Sequence, residues 1–321
     1  GKTNLLLKGG NTTMHTVVDG AVPCKEKTTA VDRKALLSFV VFGGEYDVVA
    51  KDSALNIMHG GSRRARLQTV KPEWDYGVWP FNAKATRLRL TTDVVKALRA
   101  VCACVSNSAA IGEIAALAVE GNGKTLGVFA TNDLVIGFAR VASEWSGETR
   151  ISPEMVDILD REKCGWLLVQ EQEVGAEFGG NRVWSIAPAK SWTGFPKSKI
   201  AKLLLAGRAM PPVFTCKVDL FADMLGMFKG YGLGESVALK ITTTSKQLVI
   251  EADGDTAKFG DTLAVTDGRS ATFIVELSTL LPIVRRLRDA GAAELKAAVN
   301  ANILYLHAGG LEFLISLKVA K

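Results

Sequence analysis

Leu90-Thr-Thr-Asp-Val-Val-Lys-Ala-Leu98 carries three signals in one short stretch: the end of a strand, a cluster of capping residues and the start of an amphipathic helix. The same order recurs four more times. It is read in Val31-Asp-Arg-Lys-Ala-Leu-Leu37, Ile151-Ser-Pro-Glu-Met-Val-Asp-Ile-Leu159, Lys217-Val-Asp-Leu-Phe-Ala-Asp-Met-Leu225 and Val275-Glu-Leu-Ser-Thr-Leu-Leu281. With Asp32, Asp93, Ser152, Asp219 and Ser278 as approximate caps, successive helices start 61, 59, 67 and 59 residues apart. A fixed period of this kind marks an internal repeat. The long interval holds Pro188 to Pro212 and reads as an inserted linker.

Strand-like runs follow each helix, separated by turn residues. After the second helix they span 115–119, 125–130 and 134–141, broken by Gly121-Asn-Gly123 and Asn132-Asp133. After the fourth they span 236–242, 247–252 and 256–265, and after the fifth 295–299, 303–307 and 311–317. The unit is β-α-β-β-β. Runs 4–8 and 12–18 read as strands of a sixth copy without its helix. One helix on three or four strands buries too little apolar surface to stand alone, so the units are expected to pair. Pairing divides the chain into three domains at 1–82, 83–205 and 206–321. Length alone, 321 residues, suggests about two domains.

The fold class is α+β. With 48% hydrophobic and 22% charged residues the composition is that of a globular protein. No apolar run approaches the roughly 20 residues that span a bilayer. Five cysteines (Cys24, Cys102, Cys104, Cys164 and Cys216) form no framework spacing, which fits thiols packed as small hydrophobes in a reducing, cytoplasmic compartment. Cys102-Ala-Cys104 lacks further ligands, since His15, His59 and His307 are isolated, so neither metal nor cofactor is expected. Gly123-Lys124-Thr125 resembles the end of a phosphate loop. However, Ala118 stands where that motif needs glycine, and the segment between two strand-like runs reads as a hairpin turn. Gly230-Tyr-Gly-Leu-Gly234 reads as a helix stop. Paired carboxylates near a histidine and a nucleophile elbow are both missing, so the chain is not expected to be an enzyme.

The helices carry cations opposite their apolar stripes. In the second, Val94, Leu98, Val101, Cys102 and Val105 form the stripe, and Lys96 and Arg99 share the other face. In the fifth, Arg285, Arg286 and Arg288 lie largely outside the Leu277, Leu280, Leu281, Val284, Leu287 stripe, with Pro282 near the end of the first turn. The first helix offers Arg33 and Lys34. The third is acidic, with Glu154, Asp157 and Asp160, and the fourth sets Asp219 and Asp223 beside Lys229. A net charge of +6 is mild, and from charge alone a charged helix face is more often a plain solvated face.

Six β-α-β-β-β units in three domains resemble the bacterial DNA sliding clamp, the β subunit of DNA polymerase III. Local sequence is similar to that family in three places. Arg63-Arg-Ala-Arg-Leu-Gln-Thr-Val70, after Gly60-Gly61, resembles the last strand of the family's first domain. Ala130-Thr-Asn-Asp-Leu-Val-Ile136 resembles its Ala-Thr-Asp-Gly strand entry, with Asn132-Asp133 in place of Asp-Gly. Gly194-Phe195-Pro196, followed by Ile200, is similar to the Arg-Phe-Pro segment that closes the second domain.

The resemblance implies a homodimeric ring with helices lining a hole and sheets outside. Double-stranded DNA would thread it without sequence readout, and the ring would tether DNA polymerase as a processivity factor without catalysis. The lumen candidates are then Arg33, Lys96, Arg99, Arg285, Arg286 and Arg288. A client-peptide pocket for polymerase, clamp loader and other proteins with clamp-binding motifs would involve Ile114, Thr131, Ile136, Pro196, Ile200 and Leu317. Aspartate at Ile136 and Ile200 is expected to remove peptide binding and spare the fold. Tyr231 matches a region at the family's subunit interface. The sequence departs from the family in three ways. By the resemblance the sequence starts near Asn4, after the opening strand and helix of the first domain. That start is read either as leaving a part outside this sequence or as a shortened clamp. The chain is basic, and the linker at 197–208 is long and basic. That segment is read as a soluble linker, with a helix contacting DNA or a partner as the other reading. The departures leave a second function open, a clamp-fold adaptor that binds proteins but no longer encircles DNA.

Overall fold

The computed structural model describes residues 5–10, 14–20, 47–51, 54–59, 62–68, 81–105, 115–171, 173–179, 181–186, 195–230, 237–253 and 258–318. The chain separates into two compact units, residues 1–80 with 177–184, and residues 81–176 with 185–321. In the first unit, β1 (Leu5–Gly10) and β2 (Met14–Gly20) form an antiparallel hairpin with Leu5 opposite Gly20. Strands β3 (Asp47–Lys51), β4 (Ala54–His59) and β5 (Ser62–Gln68) form an antiparallel sheet. The expected first helix at 31–37 lies outside the described residues.

The second unit begins with β6 (Thr86–Arg89), α1 (Thr92–Cys102) and strands β7 (Leu117–Asn122), β8 (Thr125–Thr131) and β9 (Val135–Ala142). Then come β10 (Ser146–Ile151), α2 (Pro153–Arg161), β11 (Trp166–Gln170), β12 (Glu173–Phe178) and β13 (Asn181–Ile186), the end of β12 and most of β13 belonging to the first unit. Helix α3 (Lys197–Ala209) precedes β14 (Pro212–Lys217) and α4 (Val218–Gly230). Strands β15 (Ala238–Thr243), β16 (Gln247–Asp253), β17 (Lys258–Ala264) and β18 (Ala271–Glu276) lead into α5 (Leu277–Asp289). The chain closes with β19 (Glu294–Val299), β20 (Ile303–Ala308) and β21 (Leu311–Ser316).

The expected helices are present wherever residues are described, but the caps shift. Thr91, not Asp93, caps α1, its hydroxyl accepting from the Val94 N–H at 3.3 Å. Asp93 sits in the first turn, where its charge favours the helix dipole. Ser152 caps α2 as expected, accepting from Met155 N–H at 3.2 Å, with Pro153 preset for the first turn. Asp219 lies inside α4, and α5 starts after Glu276 without a side-chain cap. Pro282 is therefore inside α5 beyond its first turn, where its missing N–H does cost a backbone hydrogen bond.

Two features escape a helix-by-helix reading. Residues 197–209, read as a linker, are a helix. And strands of four repeats, β7 to β9 and β19 to β21 with β10 and β14 that lead into the next helices, merge into one eight-stranded antiparallel sheet of order β10-β7-β8-β9-β21-β20-β19-β14. The seam is β9 against β21, with Leu311 opposite Ala139 and Leu314 opposite Ile136. A separate four-stranded sheet has the order β17-β16-β15-β18. Helices α1 and α5 lie on one face of the large sheet, where the approach is close: a Cβ on Gly137 would stand 2.7 Å from Cys104 Sγ. Helix α3 covers the other face.

The packing of α3 follows from register. Thr131 lies opposite Ile136, Ile136 opposite Leu314, Leu314 opposite Tyr305 and Tyr305 opposite Ala298, a row facing one side of the sheet. Ile200 and Leu204 of α3 bury themselves in a cluster with Phe195, Phe138, Tyr305, Leu314 and Ala298. Each such aliphatic side chain contributes roughly 1.5–3 kcal/mol of burial. Gly207 lets the helix settle, since a Cβ there would meet Tyr305 Cδ2 at 2.7 Å and Leu314 Cδ2 at 3.0 Å.

Candidate functional site

Lys96, Arg99 and Arg286 line one shallow depression with Ala100, Asp289 and Ala290. Lys96 and Arg99 project from α1 and Arg286 from α5, helices of different repeats that the shared sheet brings side by side. Arg99 is held by Asp160 of α2 at 2.6 Å, and Lys163 reaches the same carboxylate at 3.1 Å. The acidity of α2 is thus partly spent on fixing a neighbouring cation. Arg286 approaches Asp289 at 3.9 Å, and Arg288 bonds Asp223 of α4 at 3.0 Å. Arg285 leans toward Gly226 of α4. Lys96 is exposed and has no ion-pair partner among the described residues. A surface of this kind can make exchangeable phosphate contacts. Arg33 lies outside the described residues.

The pocket candidates divide by depth. Thr131 and Ile200 are buried, with Ile200 only 1% exposed. Thr131 donates its hydroxyl to the Val135 carbonyl at 2.8 Å and accepts from Asp133 N–H at 3.3 Å, which holds the Asn132-Asp133 turn. Ile136, Pro196 and Leu317 are half-buried. Pro196 occupies the N-cap of α3, and the Leu317 N–H donates to the Asn302 carbonyl at 2.9 Å. Ile114 and Tyr231 lie outside the described residues. The depth of Ile200 overturns the expectation that aspartate there spares the fold. One apolar residue of the Ala130–Ile136 motif was passed over, Leu134, which is 57% exposed. Its carbonyl accepts from the Ser316 N–H at 2.8 Å, so it stands at the seam beside the chain entering Leu317. Its position between a turn and a strand was the available signal.

Helix α3 is pinned at both ends. At its start Lys197 Nζ bridges Glu120 of β7 at 2.7 Å and Glu148 of β10 at 2.9 Å. Burial works against the Lys197 charge, but these two partners outweigh it and raise its pKa. Beside it the Arg150 guanidinium lies 4.1 Å from the Phe195 ring centre, a stacked cation–π contact. At its end Arg208 grips Glu312 of β21 through two bonds of 2.8 Å, and Tyr305 O–H donates to the same carboxylate at 2.7 Å. Burial alone would raise the Glu312 pKa, yet the bonds from Arg208 and Tyr305 hold it below the usual carboxylate range. Burial and the Glu312 charge together push the Tyr305 phenol up. The pins join strands on both sides of the seam.

Other sequence features resolve as structure. Gly123 has φ +80° in the β7–β8 turn, and Asn122 Oδ1 accepts from the N–H groups of Lys124 and Thr125, which makes the segment a hairpin turn. The four cysteines among the described residues are free thiols. Burial pushes Cys102 and Cys216 up to about 12, which leaves them unreactive as nucleophiles. Among the described residues no cluster of His, Cys, Asp or Glu could hold a metal ion, and no helix is long and apolar enough to cross a membrane.

No family model matches the sequence, and no curated protein does either. Solved structures do. The DNA polymerase III subunit beta of Pseudomonas aeruginosa aligns over 98% of this chain and 90% of its own, with a TM-score of 0.75 at 12% identity. The DNA polymerase III beta subunit of Thermotoga maritima aligns over 99% and 89%, with a TM-score of 0.78 at 11% identity. The Helicobacter pylori beta clamp, solved with a DNA ligase peptide bound, aligns over 99% and 90%, with a TM-score of 0.75 at 13% identity. The chain has the sliding-clamp fold, a mixed α/β architecture of antiparallel sheets and helices.

Proposed function

We propose that this chain is a DNA sliding clamp, a non-enzymatic processivity factor that closes as a homodimer around double-stranded DNA in the cytoplasm. Its three domains would be residues 1–82, 83–205 and 206–321. The observation that supports this reading best is the meeting of Lys96, Arg99 and Arg286 from helices of two repeats on one face of a shared sheet. Long cationic side chains exchange phosphate partners without reading bases, which is what sliding demands. Arg285 and Arg288 of α5 are assigned to the same set, and Arg33 is assigned to DNA from its sequence position alone.

The test is topological. Protein loaded on closed circular duplex should stay bound through gel filtration and leave once the circle is cut. A monomer released equally from circular and linear DNA would sink the proposal. It would favour the second reading, a clamp-fold adaptor, which the acidic face of α2 recommends. Tyr231 is assigned to the contact between the two subunits.

Clients such as DNA polymerase and a clamp loader would bind through a short apolar motif at the seam. Ile136, Pro196 and Leu317, with Leu134 added, form its accessible part, Thr131 and Ile200 lie buried beneath, and Ile114 is assigned to it from sequence position alone. Leu134→Asp, a surface change, should weaken binding of a clamp-binding peptide by about tenfold or more, as a charge placed in an apolar peptide groove does. Calorimetric titration checks it, and an unchanged affinity would remove the groove from this location.

A further inference from the structure

We infer that the exposed face of β6 and β11 is a binding site for single-stranded nucleic acid, separate from the basic helix face. Trp166 is 49% exposed, and among the described residues it is the one aromatic side chain in the group of large apolar residues left in water. Arg89 lies directly opposite it, and Arg87 lies opposite Leu168 one step further along the same face. The Leu90 N–H donates to the Gly165 carbonyl at 2.9 Å, which makes that pair the hydrogen-bonded one. By alternation Arg89–Trp166 and Arg87–Leu168 are non-hydrogen-bonded pairs, whose side chains stand closest together.

The chemistry of this face selects the ligand. Both arginines are exposed, and neither is ion-paired among the described residues. Strands β6 and β11 contain no carboxylate; the Glu173 carboxylate of β12 lies on the same face opposite Gln170, beyond Leu168 from Trp166 and Arg89. The two guanidinium groups leave the strand about 7 Å apart, close to the spacing of neighbouring phosphates on an extended strand. An indole beside such a pair offers a base a flat stacking surface, and stacking with backbone charge contacts is how single strands are held without sequence preference. A duplex hides its base faces and would leave the indole unused. An apolar peptide would find only half-buried Leu168 beside it. The opposite face of the strands, with Leu88 and Leu167, is buried in the core, so the platform is rigid.

The experiment uses the full chain and a short fluorescein-labelled oligothymidylate, read by anisotropy over a salt series. Trp166→Ala should weaken binding by about tenfold, within the range for loss of one stacked base. Arg87→Ala with Arg89→Ala should lower the salt dependence by roughly one to two. Trp166→Ala should leave retention on closed circular duplex unchanged, so the failure of this site is separable from failure of the clamp reading. Full oligothymidylate affinity in both variants would overturn the inference. Equal displacement of the oligonucleotide by an oligoglutamate peptide would overturn it too, by making the site a general anion surface.

Discussion

Replacing Ile200 by aspartate is expected to destabilise the protein by about 4 kcal/mol or more, the scale of placing an unpaired charge in a packed core. Ile200 is 1% exposed and sits with Leu204 over Phe138, Tyr305 and Leu314. The nearby cations are already engaged, Lys197 with Glu120 and Glu148, Arg208 with Glu312 and Arg150 against the Phe195 ring. The aspartate escapes only if α3 lifts from the sheet, which exposes the whole row from Ile136 to Ala298. Leu205→Asp on the same helix supplies the contrast, since Leu205 is 66% exposed and its substitution should change stability by less than about 0.5 kcal/mol. Urea unfolding followed by tryptophan fluorescence measures both. Equal midpoints for the two variants would mean that α3 is not seated as described.

The second large effect concerns DNA. Lys96→Glu combined with Arg286→Glu reverses two charges in the depression shared by α1 and α5. The dependence of DNA affinity on salt should fall by roughly two in logarithmic slope, and residence on closed circular duplex should shorten by about tenfold or more. Arg99 is left out of this variant because a carboxylate at 99 would oppose the half-buried Asp160, which now holds Arg99 at 2.6 Å, whereas Arg286 only approaches the exposed Asp289 at 3.9 Å. That repulsion would confuse a structural effect with a binding one. An unchanged salt slope would show that the phosphates pass elsewhere.

Much of this was legible in the sequence, and the reasons are physical. Helix α1 is announced by a capping hydroxyl and an apolar stripe with one period, so its location is unambiguous although Thr91 rather than Asp93 accepts the bond. Strands β15 to β17 and β19 to β21 are bounded by turns such as Asn300-Ala-Asn302, where Asn300 Oδ1 accepts from Asn302 and Ile303 N–H groups. Helix α3 was obscured by its own chemistry. It has no side-chain cap, three lysines and one arginine, and a narrow buried stripe of Ile200, Leu204 and Gly207. Its order comes from partners distant in the chain, Glu120, Glu148 and Glu312. The depression was hidden for the same reason, since no local pattern tells Lys96 that Arg286 lies beside it. Leu134 was passed over because an exposed leucine gains meaning only from its neighbours.

The β9–β21 seam has a mechanical consequence. Backbone bonds run across it without interruption from Val135–Ile315 to Ala139–Leu311, and α3 is riveted over it from Lys197 to Arg208. Bending at that place would have to shear a continuous sheet and strip a helix at once, so the compliance of this part of the chain at the seam is low. In the ring proposed above, opening would therefore fall at a softer joint, to which the seam would carry the torque as a stiff lever.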